Sequence, residues 1–314
     1  MTKMDLAKRG YRLGAEWMRA RRHFRRFPPI FIIGAPRSGT TLLLRVLGSQ
    51  PPLCPIFEPR MIWQSAFGPW PDDTFAGWLT PLRRIRIVRN YWTAIAPDRP
   101  VLLVKDPGDS LRVEKLHRLF PSARFIYISR DHRDTICSMI CAIKHPTLYK
   151  REVGWAHVRI PGYESLVSEA AHIKAAHIWS VCVRDSLQSL RKIPQQLWTT
   201  VRYEKLVEEP IPVVRRLLAF LRTQWLPETV ESVTRAISDE VVSRMQTDTT
   251  TILPSGTLAI LGSVENMGDA GSGTLSRKQR IGKWREELTS NELEEVEAVI
   301  HDAGAGFLSS RESV

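Results

Sequence analysis

The chain has 314 residues, enough for one large domain or two small ones with a sizeable buried core. Hydrophobic residues make up 43% and charged residues 25%, which is ordinary globular usage and excludes a disordered or fibrous protein. Lys and Arg exceed Asp and Glu by 12, and residues 1–30 carry nine basic and two acidic side chains. This basic front end favours an anionic partner such as phosphate, sulfate or a lipid headgroup.

The four cysteines form neither a Cys-x-x-Cys pair nor a Cys/His pattern of metal ligands. No stretch approaches the ~20 apolar residues of a membrane span, and the first residues lack the apolar core of a signal peptide. We therefore expect a cytoplasmic protein without a disulfide framework and without a metal site.

The first predicted element is a basic amphipathic helix. Residues 4–27 place apolar side chains among arginines and lysines in an imperfect helical pattern that Pro28 and Pro29 end. We predict a boundary between this helix, residues 1–29, and a single domain over residues 30–314. The simpler interpretation is a helix packed on the domain with a solvated arginine face. The alternative is contact with an anionic membrane or an acidic acceptor.

A glycine-rich loop follows. The apolar run Ile30–Ile33 leads into this loop and then into a helical stretch, which predicts strand, loop and helix with Gly48 as the helix C-cap. Gly34 and Gly39 frame the loop as GxxxxG. In that context backbone N–H groups and the positive helix end hold an anion. The pattern therefore predicts a phosphate-binding loop.

The loop differs from that of a nucleotide triphosphatase. Such a loop carries Lys after its second glycine, where it reaches the outer phosphates, and then Ser or Thr on magnesium. Here Thr40 and Thr41 follow Gly39 instead. The missing ammonium argues against γ-phosphate chemistry, while Arg37 and the two hydroxyls suit a short, oxygen-rich group. A packing turn without a ligand is the weaker explanation of this composition.

The remaining elements alternate. Apolar runs suited to buried parallel strands occupy residues 101–104, 125–128 and 197–201. Helical spacing occupies residues 111–120, 135–143, 164–192 and 213–221. The alternation predicts an α/β, P-loop-like three-layer fold with a central parallel sheet flanked by helices.

Two features mark the last part of the chain. Residues 247–276 combine five glycines with threonine, serine and aspartate, which predicts a long irregular loop. A capping box from Thr289 to Glu292 then predicts the start of a final helix.

A second basic motif follows the run 125–128, beginning Arg130-Asp131-His132-Arg133-Asp134. An arginine at a strand end and a serine eight residues later, here Arg130 and Ser138, can converge on one phosphate. Taken alone, the charged run is more typical of a loop with local ion pairs of little energy. Paired with the glycine-rich loop, it indicates a second phosphate contact.

With both motifs in order, the chain from Phe31 to Leu288 resembles the sulfotransferases that use 3'-phosphoadenosine 5'-phosphosulfate (PAPS). It is most similar to the tyrosylprotein sulfotransferases and their bacterial relatives through four further segments, at residues 104–107, 120–125, 201–207 and 281–285. The resemblance implies that the loop PRSGTT binds the 5'-phosphosulfate and that Arg130 and Ser138 bind the 3'-phosphate. The donor-site residues it assigns are Arg37, Ser38, Gly39, Thr40, Thr41, Arg130, Ser138, Tyr203 against the nucleotide and Lys283 beside its phosphates.

The resemblance also assigns a general base. The family's carboxylate position, a few residues beyond the first helix, falls on Glu58. We expect its neighbours Ile56 and Phe57 to desolvate the carboxylate and raise its proton affinity. The alternative is a purely structural role for Glu58, in a salt bridge to Arg60. Some sulfotransferases use histidine as the base, so the alternatives are His117, His132 and His145.

The resemblance places Lys105 at the position of the cation that stabilises the leaving group, together with Arg37 and a threonine hydroxyl. No Asp/Glu/His cluster suggests magnesium, so these charges act without a metal. The resemblance thus predicts in-line sulfuryl transfer driven by positioning and electrostatics.

Two other functions compete with sulfuryl transfer. One is a P-loop nucleotide or small-molecule kinase; the other is a basic module that binds nucleic acid or anionic lipid without catalysis. We expect no nucleic-acid partner. The acceptor carries a hydroxyl, on a small molecule, a glycolipid or a peptide tyrosine. Residues 59–100 and 144–175 are its predicted walls, and a packed cap is equally compatible with them.

Overall fold

Five parallel strands form a central sheet in the order β2-β3-β1-β4-β5. They are β1 (Ile30–Ile33), β2 (Leu53–Phe57), β3 (Val101–Lys105), β4 (Arg124–Ser129) and β5 (Trp198–Arg202). The computed structural model describes residues 3–69, 72–144, 158–224, 226, 228–237, 250–252, 258–260 and 280–304. An antiparallel pair, β6 (Thr250–Ile252) and β7 (Leu258–Ile260), forms a second sheet.

Helices cover both faces of the central sheet. They are α1 (Lys3–Arg26), α2 (Thr40–Gly48), α3 (Arg60–Phe67), α4 (Pro81–Thr93), α5 (Val113–Leu119), α6 (His132–Lys144), α7 (Ala171–Leu190), α8 (Tyr203–Glu208), α9 (Pro210–Leu221), α10 (Thr229–Ile237), α11 (Trp284–Glu287) and α12 (Ser290–Asp302). Short 3-10 helices occupy Pro107–Leu111, Tyr163–Leu166 and Gln195–Leu197.

The two sides of β1 show why three layers form. Phe31 and Ile33 face one hydrophobic cluster, which includes side chains of α4, α6 and α7. Ile30 and Ile32 face the other, which includes α2 and α9. Successive side chains of a strand point to opposite faces, so a fully apolar run belongs between two helical layers. The predicted α/β fold with a central parallel sheet is confirmed.

Several predicted boundaries were wrong. Gly48 is the last residue of α2, and Ser49 is the C-cap. The helix predicted over 164–192 begins at Ala171, because Ala170 has an extended backbone. The helix predicted over 111–120 divides at Arg112 into a 3-10 helix and α5.

Strand β2 and helices α3 and α4 were not predicted. β2 contains Pro55, which argues against a central strand, but β2 lies at the sheet edge, where proline is tolerated. The loop predicted over 247–276 contains β6 and β7, and its other residues lie outside those the structure describes.

The site lies where the chain direction changes. From β1 the chain passes through α2 towards β2, and from β4 it passes through α6 towards β5, on the other side of the sheet. In open α/β sheets such divergence leaves a crevice outside the carboxyl ends of the two strands. Both predicted phosphate motifs begin there.

The basic helix α1 packs on the domain. Ala20 and Phe24 are buried, and the Phe24 ring meets the Phe120 ring edge-on. Glu16 pairs with Arg89 of α4. Five arginines occupy exposed positions, at residues 19, 21, 22, 25 and 26. Across the part of the chain that the structure covers, every helix is too short or too polar to cross a bilayer.

Candidate active site

The glycine-rich loop adopts a conformation that two glycines make possible. Gly39 is the N-cap of α2 with φ 99°, and within the described chain no side chain caps the first turn of this helix. Its first N–H groups therefore suit an anion. A Cβ at Gly39 would clash with the Tyr203 ring, and one at Gly34 would lie 2.7 Å from the Ile128 carbonyl oxygen. Arg37 also has a left-handed backbone, φ 68°.

Neighbouring hydroxyls fix the loop. Ser110 accepts a hydrogen bond from the Gly34 amide at 3.3 Å and donates one to the Gly34 carbonyl at 2.8 Å. Ser38 donates its hydroxyl to the Ala35 carbonyl at 2.7 Å. Thr40 is buried and Thr41 is half-buried at the start of α2. The loop is thus held in shape by its own contacts.

The two predicted phosphate motifs are in direct contact. Arg37 Nε donates to Ser138 Oγ at 3.0 Å, and Arg130 Nη1 donates to the Arg37 carbonyl at 3.2 Å. The Arg130 guanidinium lies 4.5 Å from the centre of the Tyr203 ring. The structure therefore brings Arg37, Arg130, Ser138 and Tyr203 together at the crevice between β1 and β4.

Tyr203 begins α8 directly after β5. Its ring is buried among the side chains of one helical layer and also lies between Gly39 and Arg130. The ring is therefore part of the hydrophobic core and also borders the glycine-rich loop. Its contact with a nucleotide stays a prediction.

Glu58 and Lys105 form an ion pair at the ends of β2 and β3. Phe57 pairs with Lys105 in the sheet register, so Glu58 is the next residue along the edge. Lys105 Nζ lies 2.6 Å from Glu58 Oε1, and the two side chains are only 3% and 13% exposed. Lys105 Nζ also lies 4.6 Å from the centre of the Phe57 ring.

The alternative of a salt bridge between Glu58 and Arg60 was wrong. Arg60 pairs with Asp73 at 3.0 Å, whereas Glu58 pairs with Lys105. The Glu58 carboxylate is nearly buried beside this ammonium group. Its raised proton affinity stays a prediction.

Lys283 lies in the turn before α11 and pairs with Glu287. Asp134 of α6 holds this turn by accepting hydrogen bonds from the Gly282 and Trp284 amides at 2.7 and 3.1 Å. Arg130 Nη2 donates to the Arg280 carbonyl of the same turn at 3.2 Å. The turn is therefore attached to the segment that carries Arg130.

The alternative histidine bases lie elsewhere. His117 lies on α5 against the Phe125 ring, and burial lowers its pKa. His132 contacts Glu297 at 2.7 Å. His145 lies outside the described residues.

Sequence reasoning missed the supports of the site. Arg112, fully buried, binds Asp109 at 2.7 Å and Asp106 at 2.9 Å in the segment that follows Lys105. Burial raises the pKa of Asp109 to about 7. Ser110 lies in the same short segment. The only available signal was the density of charged residues after Val104-Lys105, which does not reveal what they contact.

The predicted acceptor walls meet at Asp73. The Asp73 amide donates to the Arg159 carbonyl at 2.8 Å, and the Arg159 amide donates to Asp73 Oδ2 at 2.7 Å. These bonds join the segments 72–80 and 158–166. Burial raises the pKa of Asp73, and the charges of Arg112 and Arg60 oppose this rise.

In the regions that the structure covers, no three or more His, Cys, Asp or Glu side chains converge as metal ligands.

Comparisons with known proteins agree with these motifs. The model of the sulfotransferase family matches residues 28–227. A putative protein-tyrosine sulfotransferase of Caenorhabditis briggsae is 28% identical over 215 residues, 62% of this chain and 66% of that protein. The protein-tyrosine sulfotransferase of Drosophila melanogaster is 27% identical over 213 residues, 64% of this chain and 39% of the fly protein.

The fold has a counterpart among solved structures. The sulfotransferase domain from the curacin biosynthetic pathway superimposes with a TM-score of 0.51 at 18% identity, over 88% of this chain and 98% of that domain. This likeness shows the fold. The matched regions span 66% and 39% of the two curated relatives, so their full activities are not transferred to this chain.

Proposed function

The chain belongs to the sulfotransferase family, and from this premise we propose that it moves a sulfuryl group from PAPS to an acceptor hydroxyl. The order of residues along the carboxyl edge of the sheet carries the proposal. Glu58 follows β2, Lys105 ends β3, the glycine-rich loop follows β1 and Arg130 follows β4. Along this edge the proposed base comes first, followed by the proposed central cation, the phosphosulfate loop and the arginine for the 3'-phosphate. This is the spatial order that in-line transfer needs.

The donor-binding residues fit a doubly phosphorylated nucleotide. The start of α2 offers backbone N–H groups, and Arg37 lies in the loop before it. Arg130 and Ser138 offer a guanidinium and a hydroxyl within contact of Arg37. PAPS, when bound, supplies a sulfuryl group activated by its 5'-phosphate. Arg130 and Ser138 would hold the 3'-phosphate, and Tyr203 and Lys283 would contact the nucleotide and its phosphates.

For the transfer, Glu58 accepts the proton of the acceptor hydroxyl. Lys105 lies on the strand between Glu58 and the loop, so it can stabilise charge on the leaving oxygen. Arg37 and a threonine hydroxyl of the loop assist it. We assign the charge stabilisation to these side chains and propose that no metal takes part.

A kinase is not favoured, because Thr40 replaces the lysine that reaches the outer phosphates. Thermal unfolding compares the two donors directly. We expect adenosine 3',5'-bisphosphate, the product of PAPS, to raise the Tm by several degrees at saturation. ATP with magnesium should raise it far less. A larger rise with ATP and magnesium would overturn the proposal.

The acceptor class is proposed from the relatives. Of the two curated relatives reported above, one is named a protein-tyrosine sulfotransferase and the other a putative one, so peptide tyrosine is the first candidate, before small-molecule alcohols and glycolipids. Transfer of radiolabelled sulfate from PAPS to a tyrosyl peptide, a phenol and a glycolipid ranks the three. Selective labelling of the phenol or the glycolipid would remove the peptide from this position.

The exposed arginines of α1 support peripheral contact with an anionic membrane through electrostatic attraction. Co-sedimentation with vesicles that contain phosphatidylserine, against vesicles of phosphatidylcholine alone, tests this contact. Equal sedimentation with both would contradict it. The cytoplasmic location and the single domain over residues 30–314 stay predictions.

A further inference from the structure

The charged segment Arg130–Asp134 contacts the C-terminal part of the chain through four of its five side chains. Arg130 Nη2 donates to the Arg280 carbonyl, and Asp134 accepts from two amides of the same turn. The Arg133 guanidinium lies 4.1 Å from the centre of the Trp284 ring, and His132 contacts Glu297. The segment is therefore more than a solvated loop with local ion pairs.

Asp134 makes the most specific of these contacts. Asp134 is only 2% exposed. One of its carboxylate oxygens accepts a hydrogen bond from the Gly282 amide, and the other accepts one from the Trp284 amide. Gly282 has φ 81°, a left-handed conformation that favours glycine. A buried carboxylate is costly unless both oxygens have partners, so the turn and Asp134 depend on each other.

The position of Asp134 links this turn to the donor site. Ser138, which contacts Arg37, lies one helical turn further along α6. Lys283 lies between the two amides that Asp134 binds. One rigid helix therefore holds both the hydroxyl for the 3'-phosphate and the turn that carries Lys283.

We propose that Asp134 is a positioning residue for donor binding, which holds the turn at residues 280–284 so that Lys283, paired with Glu287 when no donor is bound, can reach the donor phosphates. The role rests on the proposed function of the site. Asp134 itself touches neither the donor nor the acceptor, because both of its oxygens bond the turn. Its contribution should appear in nucleotide affinity rather than in the rate of transfer.

The first experiment measures nucleotide binding by calorimetry. Asp134→Asn keeps the shape but turns one acceptor into a donor that faces an N–H group. We expect the Kd for adenosine 3',5'-bisphosphate and the KM for PAPS to rise about tenfold, with kcat changed less than about threefold. The matched control is Glu292→Gln, which weakens the capping box of α12 in the same C-terminal segment and should leave the Kd within about twofold.

A double-mutant cycle with Lys283→Ala separates positioning from general destabilisation. If Asp134 acts through Lys283, the Kd of the double variant for the nucleotide should equal that of the single variant with the lower affinity. Additive losses of affinity would overturn the proposal. The proposal would also be overturned if the wild type binds the nucleotide and Asp134→Asn binds it with the same Kd. If the wild type binds no nucleotide, the proposed function itself fails.

Hydrogen exchange without nucleotide tests the geometry separately. The Gly282 and Trp284 amides should be protected in the wild type, and Asp134→Asn should raise their exchange rates about tenfold while α6 stays protected. Fast exchange of both amides in the wild type contradicts the arrangement.

If Asp134→Asn does not fold, Arg133→Ala, which removes the partly exposed stack on Trp284, should weaken nucleotide binding about two- to threefold. An unchanged Kd for that variant would then overturn the proposal.

Discussion

The proposed donor side and the proposed transfer side of the sheet edge are constructed differently. On the donor side, Arg37, Arg130 and Ser138 form a network in which guanidinium groups bond a carbonyl and a hydroxyl. On the transfer side, Glu58 and Lys105 neutralise each other at 2.6 Å, almost out of contact with solvent. The first arrangement holds positive charge where an anionic ligand can bind, whereas the second holds the proposed base and the proposed cation together in an ion pair. Substitutions on the two sides should therefore affect different steps.

The largest effect is expected at Glu58. Glu58→Gln removes the proton acceptor while keeping the shape of the side chain, so kcat should fall about 10²- to 10⁴-fold. The Kd for adenosine 3',5'-bisphosphate should stay within about threefold. Sulfate transfer and calorimetry on the same preparation measure both. Wild-type transfer by Glu58→Gln would refute the base assignment and remove the contrast between the two sides.

Arg130→Ala is the counterpart on the donor side. It removes a cation that also lies over Tyr203, and the Kd for the bisphosphate should rise about 10²-fold. At saturating PAPS the kcat should change little. Arg130→Lys sharpens the test, because it keeps the charge but loses the planar group and should recover only part of the affinity. A loss confined to kcat would place Arg130 on the transfer side instead.

Gly39 tests how tightly the loop is packed between the sides. Gly39→Ala places a methyl group against the Tyr203 ring at a left-handed φ, and stability should fall by about 2–4 kcal/mol. Gly162→Ala is the control, since φ is 74° and ψ 16° there, the same left-handed region, and no described heavy atom lies within 4 Å of the added Cβ. Its loss should be about 1 kcal/mol. Urea unfolding compares them, and equal losses would mean that the Tyr203 contact is loose.

The smallest effect concerns the pH dependence of stability that arises from Asp109, in the segment after Lys105. Burial raises the pKa of Asp109 from 3.8 to about 7, so between these values the folded chain holds a proton that the unfolded chain releases. The free energy of unfolding should therefore decrease as pH rises from about 4 to 7. Asp109→Asn should flatten this part of the pH dependence. Urea unfolding at several pH values checks it, and an identical slope in the variant would contradict the assignment.

The sequence predicted the parts of the fold that depend on local pattern. β1, β3 and β4 are apolar on both faces because they lie between two helical layers, and the capping box of α12 is a local signal. β2 was missed because its proline and its edge position weaken that pattern. Likewise, nothing near residues 164–170 signalled that the helix starts only at Ala171.

The candidate site was predicted unevenly for a physical reason. Motifs after strands could be located, because parallel strands end at one edge of a sheet. Contacts between distant segments could not. Asp134 binds amides 148 and 150 residues away, and the ion pair between Glu58 and Lys105 depends on the register of β2 with β3. Neither spacing nor composition contains that register.

A crystal structure with adenosine 3',5'-bisphosphate tests the central claim most directly. We predict the 3'-phosphate within about 3.2 Å of Arg130 and Ser138, and the 5'-phosphate at the first N–H groups of α2 beside Lys105. Both phosphates bound away from the crevice between β1 and β4 would contradict the account.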